Sequence, residues 1–323
     1  MRQEMAAKLM AGPWAVTSDG LRAHYALLQS GLLSSRDIIA EMAPRIRARD
    51  ASRRAGRAVM SGDYSMADAC VVDMRAGSGE NLEPAYDAHI RSSGIGVIPY
   101  SGVMMTHADL CWEGYDSRAA AGRAMIALGV DTIVMHMDTP GGQCQGGIEH
   151  CQELRAWQDA GVTLIAVIEH HACSMGYWLA SQADSIVASP SSIYGHMGAF
   201  TEWSDITGAL GKEGIRHGYI SEGAGKTDTV GDDTERPAGD QDRSRERVMR
   251  PITRHFYEAF LADVGLGRGS KLTAEDARSI GAMLYPGDSP AGDRQTGMEA
   301  GLIDGIETME TVLARLEPDE EIE

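Results

Sequence analysis

Val162-Thr-Leu-Ile-Ala-Val-Ile168 runs through Glu169-His-His-Ala-Cys into Ser174-Met-Gly-Tyr-Trp-Leu-Ala-Ser181. The first seven residues are apolar or β-branched without interruption, as in a strand buried on both faces. The segment from Ser174 reads as a helix, which puts Ser174 at the junction. The same texture extends outward in both directions. Apolar runs GIGVIPYSG from Gly94, DTIVMHMD from Asp131, SIVAS from Ser185 and RHGYIS from Arg216 predict further strands. Amphipathic helices fit between them at 115–129, 145–161, 174–183 and 201–214. Strands alternating with helices predict an α/β fold with a parallel sheet.

The flanks differ from this core. Leu21, Tyr25, Leu28 and Leu32 recur at helical spacing, and PWAVTSDG ahead of them reads as a turn with Thr17 or Ser18 as helix cap. Residues 45–92 read as a linker or arm. It opens with six arginines between Arg45 and Arg57, either a solvated helix face or a grip for an acidic partner. After Lys226 comes an Asp-, Thr- and Gly-rich loop, then a long helix over about 240–264, a shorter one from Thr273, a short strand and a last helix. The expected organisation is an N-terminal helical segment and arm over 1–92, one α/β domain over 93–316, and an acidic tail over 317–323.

Composition excludes several classes. A net charge of −18 opposes binding to a nucleic-acid backbone, which needs Lys and Arg to neutralise phosphates. No run of about 18 apolar residues and no secretory leader is present, so a cytoplasmic protein with no membrane contact is expected. The five cysteines are odd in number and include no Cys-x-x-Cys pair, which points to reduced thiols. No His-Glu-x-x-His or comparable spacing occurs despite Glu169-His170-His171, so neither a metal nor another cofactor is expected.

Three segments carry chemistry, each directly after a predicted strand: Asp138-Thr-Pro-Gly-Gly142, Ala172-Cys-Ser-Met-Gly-Tyr-Trp178 and Ser221-Glu-Gly-Ala-Gly-Lys226. Loops leaving the C-terminal ends of parallel strands converge on one sheet edge. Ser174, at a sharp strand-to-helix turn, is the candidate nucleophile, and Gly176 allows close backbone approach. A serine hydroxyl needs a base, and a lysine kept neutral by desolvation can serve. Lysine is scarce, four against 25 arginines, which gives Lys226 weight as that base. Acting near pH 7 requires a fall of about three units from ~10.4, hence burial without a carboxylate partner. The Gly141-Gly142 loop and the Met175 amide are the candidate oxyanion donors. Cys173 reads as a small core residue, and Asp138 and Asp205 as capping or turn residues.

These segments, in this order, resemble the signal peptide peptidase A family of Ser–Lys serine peptidases, and within it the phage capsid-assembly (prohead) proteases. The resemblance covers about 94–315: GIGVIPYSG, MDTPGG, ACSMGYWLAS, ADSIVASPSSIYGHMG, ISEGAGKTD and the closing GLIDGI. The 52-residue step from Ser174 to Lys226 is similar to that of single-domain members, and PWAVTSDGLRAHYALL is similar to phage-type members. The resemblance implies a Clp/crotonase-type βαβ superhelix and a homo-oligomeric ring. It also implies a Ser174–Lys226 dyad acting on protein or peptide substrates, namely scaffold, portal or capsid proteins. The helix over 240–264 is the candidate subunit contact. The chain departs from the family at Gly195-His-Met-Gly198, where a serine is usual. His196 can supply the missing hydrogen bond, share the base role, or depress the lysine's pKa when protonated. Two further readings stand beside the prohead protease: a cytoplasmic signal-peptide peptidase, and a catalytically inactive oligomeric scaffold of the same fold. A crotonase-type acyl-CoA enzyme would leave Ser174 and Lys226 unexplained as a pair.

Overall fold

Strand β5, Thr163–Cys173, is the axis of the sheet. The computed structural model describes residues 14–16, 94–107, 114–235, 238–292 and 295–316. Most of the expected N-terminal helical segment, the arm with its arginine run and the acidic tail therefore lie outside the described residues. The remaining strands are β1 (Trp14–Val16), β2 (Ile95–Ser101), β3 (Thr132–Thr139), β4 (Gly141–Gln143), β6 (Ser185–Ala188), β7 (Ile193–Gly195), β8 (Leu284–Pro286) and β9 (Gly305–Ile306). The main sheet runs β2-β3-β5-β6-β9, all parallel. The second half of β5 pairs with β7, which is antiparallel to β8. The α/β class with a parallel sheet, expected from the alternation, is what the chain adopts.

The helices are α1 (Tyr115–Ala127), α2 (Gly147–Asp159), α3 (Met175–Ala180), α4 (Thr207–Lys212), α5 (Ala238–Arg268), α6 (Ala274–Ile280) and α7 (Met309–Leu316). Alternate strand residues face opposite ways. Ile133, Met135, Leu164, Ala166 and Ile168 face the larger core, shared with Met125 of α1, Leu154 and Trp157 of α2, and Phe260 and Val264 of α5. Val134, Ile165, Val167 and Val187 face a smaller core closed by Val312 of α7. Two-faced burial explains why β3 and β5 read as continuous apolar runs. Among the described residues no helix is long and apolar enough to cross a membrane.

Two sequence expectations are overturned. RHGYIS forms no strand: 215–220 has no regular structure, and Tyr219 and Ile220 are exposed. Its partners come from the returning segment, through His217 with Thr234, Arg216 with Glu235 and Tyr219 with Asp232. The position beside β6 in the sheet is taken by β9. PWAVTSDG is also not simply a turn, because Trp14–Val16 is a strand antiparallel to β4.

Asp304 locks the closing segment. Its carboxylate accepts from Arg268 (2.9 and 3.0 Å), Lys271 (2.7 Å) and the Ile186 amide (2.8 Å). Burial pushes this carboxyl up, but the hydrogen bonds from Arg268, Lys271 and Ile186 outweigh it and hold the group at about 2. A depressed folded-state value contributes stability that is full above about pH 4 and lost as pH falls toward about 2. Discounted for solvent screening, the contribution is about 1 kcal/mol. Urea midpoints measured from pH 5 to pH 2 are expected to fall less steeply for Asp304→Asn than for the unmodified chain, with the variant already weaker at pH 5.

Candidate active site

Ser174 sits between the end of β5 and the start of α3, 1% exposed, with φ 55° and ψ −117°. A positive φ is costly for a residue with a Cβ and persists only where the surroundings enforce it. Here they do. The Ser174 amide donates to Gly195 O (2.7 Å), and the Trp178 amide closes the first helical turn on Ser174 O (2.9 Å). Trp178 anchors α3 by stacking on Phe260, with centroids 4.7 Å apart, and by donating from Nε1 to Asp263 (2.9 Å). Gly176 passes so close to β3 that a Cβ there would stand 2.6 Å from Thr139 Cγ2, which is the close approach the sequence suggested.

The Ser174 hydroxyl donates to Gly198 O at 3.3 Å. Cys173 and Gly195 are register partners across β5 and β7, so the Gly195-His-Met-Gly198 turn lies directly beside Ser174. His196 shares the positive φ, at 57°. Its amide donates to Met283 O (2.7 Å), and among the described residues its buried Nδ1 has no hydrogen-bond partner. Burial lowers its pKa, which favours the neutral ring. Cys173 is buried, its Sγ directed at Ile193 O (3.6 Å), and burial pushes the thiol up to about 12, far from a reactive thiolate.

The donor loop lies alongside. Thr139 pairs with Ala172 across the sheet, bringing Pro140-Gly141-Gly142 to the Ser174 turn. Gly141 has φ 114°, and its N–H is taken by Thr139 Oγ1 at 3.1 Å. Gly142 has no room for a side chain, since a Cβ would stand 2.0 Å from Met104 O. Met175 is the first residue of α3, so its amide has no acceptor within the helix. Of the three expected oxyanion donors, the Met175 amide is left without an acceptor in its helix, the Gly141 N–H is engaged by Thr139, and Gly142 is the register partner of Ala15 in β1.

Lys226 is placed differently from the expectation. It is exposed on a turn closed by its own amide to Gly223 O (3.2 Å), and among the described residues its ammonium has no hydrogen-bond or ion-pair partner. No hydrogen bond joins it to Ser174. The neighbouring carboxylate, Asp228, is paired with Arg247 at 2.5 Å. The Lys226 stretch also carries Trp203, Ile206, Ile215, Tyr219 and Ile220 in exposed positions. Asp205 is a turn residue, accepting from the Thr207 amide and hydroxyl, which lower its pKa. Asp138 pairs with His171 at 3.0 Å. The acceptor role of Gly198 O escaped sequence reading because a backbone carbonyl leaves no mark in residue type.

Protease 4 of Haemophilus influenzae is 25% identical over 177 residues, 55% of this chain and 26% of that protein. A putative signal peptide peptidase SppA of Enterococcus faecium is 22% identical over 193 residues, 60% of this chain and 52% of that one. The chain therefore spans about half or less of the length of these curated relatives. Among solved structures, the membrane-bound stomatin-specific protease 1510-N in complex with a substrate peptide matches with a TM-score of 0.40 and 14% identity, covering 70% of this chain and 84% of that one. Residues 156–323, just over half of the chain and including both Ser174 and Lys226, match peptidase family S49 throughout. The chain belongs to peptidase family S49.

Proposed function

We propose that the chain is a serine endopeptidase in which Ser174 is the nucleophile and Lys226 the general base. The observation that carries this is Ser174 itself: a buried hydroxyl held at positive φ on a strand-to-helix turn, directly before the Met175 amide that opens α3. Ser174 Oγ attacks the scissile carbonyl carbon and its proton passes to neutral Lys226. The oxyanion is held by the Met175 amide, and by the Gly142 amide once the β1 strand paired to it is displaced. The amine leaves with the proton from Lys226, and a water deprotonated by the same lysine releases the acyl group. Burial of Lys226 is supplied by a second copy covering the 199–235 stretch, whose exposed Trp203, Ile206, Tyr219 and Ile220 suit a subunit contact. His196 is an auxiliary group that orients the lysine, shares its proton or depresses its pKa.

The substrates we propose are scaffold, portal or capsid proteins of an assembling phage shell in the host cytoplasm, a reading supported by the phage-type segment PWAVTSDGLRAHYALL. A second reading, signal-peptide cleavage, is favoured by the name of the Enterococcus relative. Treatment with a fluorophosphonate probe, followed by peptide mapping, is expected to place the label on Ser174 and to show a labelling rate that falls on dilution. A protein that takes no label at any concentration is the inactive scaffold instead. Hydrolysis of a folded capsid or scaffold protein against hydrolysis of an isolated leader peptide separates the two peptidase readings.

A further inference from the structure

The short strand β4 has two edges, and they are used differently. Gly141 O accepts from the Met104 amide (2.9 Å), and the Gln143 amide donates to Met104 O (2.9 Å). Successive residues of a strand present their N–H and C=O groups to opposite sides. The groups of Gly142 therefore face the other edge. There β1 lies antiparallel, with Trp14 opposite Gln143, Ala15 opposite Gly142 and Val16 opposite Gly141. Ala15 and Gly142 are thus the pair that exchanges both hydrogen bonds. Since no side chain fits at Gly142, this edge presents bare backbone, the kind of edge an extended peptide joins as an added strand.

Direction matters as well. Chain β1 runs from Gln143 toward Gly141, hence toward Thr139 and the Ser174 turn packed against it. We infer that Trp14–Val16 is a built-in occupant of the substrate strand: the folded chain holds its own peptide where a substrate must lie, and an incoming extended peptide must displace it. The inference rests on the peptidase reading for the meaning of the site, and on the strand pairing for the occupancy. Three residues paired to one three-residue strand, outside the main sheet, are marginal as a sheet and suited to displacement. As part of the same chain, the segment competes intramolecularly rather than from solution.

Ala15→Pro removes the N–H that Gly142 O accepts, without touching the proposed machinery. In the full chain carrying Ser174→Ala, a fluorescein-labelled peptide of residues 12–19, GPWAVTSD, is expected to bind at least about tenfold more tightly once Ala15→Pro is added. Equal affinity overturns the proposal. Hydrogen exchange at Gly142 gives a second reading without any ligand. Slow exchange that becomes fast in Ala15→Pro is expected, and an unchanged rate sinks the idea. Protection that is lost on dilution assigns the strand to a second copy and overturns the intramolecular arrangement. With Ser174 intact, Ala15→Pro is expected to raise casein hydrolysis at least threefold. If neither form hydrolyses anything while the tenfold binding difference persists, the peptidase reading falls and the occupancy stands.

Discussion

Ser174→Ala and Ser174→Gly are both expected to bring peptide hydrolysis to background, a loss of at least about 10⁴-fold, while moving stability apart. Losing the nucleophilic oxygen removes covalent catalysis in either variant. Stability separates them because Ser174 sits at φ 55° and ψ −117°, a region that strains any residue with a Cβ. Alanine keeps the Cβ and so keeps the strain. Glycine removes it and relieves about 1–2 kcal/mol. The interaction given up, a 3.3 Å hydrogen bond to Gly198 O, is long and worth less than that. For a chain of this size the difference corresponds to a Tm roughly 1.5–3 °C higher for Ser174→Gly than for Ser174→Ala. Calorimetry on the two variants decides the matter. Equal melting temperatures would mean that the turn at Ser174 stores no strain, and the argument for an enforced nucleophile geometry would fail with it.

What the sequence made legible, and what it hid, follows from the range of the forces involved. The apolar runs over 132–137 and 163–168 announced β3 and β5 because burial on two faces writes a local pattern. The Ser174 junction was legible for the same reason, as the point where that pattern ends and a helix begins. The shorter helix expected from Thr273 was legible too, and it begins there, with the Thr273 side chain accepting from the Asp276 amide. Strands β4, β7 and β8 were not, since three residues are too few to show a period of two. Trp14–Val16 is the extreme case: its partner lies some 125 residues away, and Pro13 and Asp19-Gly20 write turn chemistry around it. RHGYIS had a strand's composition, but its polar contacts go to the returning 232–235 segment instead of to a strand. Spacing found Lys226, yet spacing says nothing about solvation, and the burial expected of a lysine base is not provided by the residues around it in one chain.

That gap makes Lys226 and His196 the pair worth separating. Lys226→Met is expected to lower kcat/KM by at least about 10³-fold at pH 7, and His196→Gln by less than about tenfold. The first figure follows from removing the general base, worth about 10²–10⁴ by itself, together with the proton donor to the leaving amine. The second follows from geometry. His196 adjoins the Ser174 turn and is biased toward its neutral form, but Ser174 donates to Gly198 O rather than to the imidazole. Lys226 has the converse profile. Among the described residues it makes no hydrogen bond to the hydroxyl and no ion pair, the nearby Asp228 being paired with Arg247. The second copy proposed above over this stretch would supply the desolvation that a lysine base needs. The pH profile reports which base operates. With Lys226, activity climbs through about pH 7–8, the range to which desolvation brings a catalytic lysine. With His196, whose pKa burial lowers, the rise lies at lower pH, below the ordinary imidazole range. Activity retained in Lys226→Met and lost in His196→Gln would transfer the base role to His196 and leave the exposed lysine without a part in the chemistry.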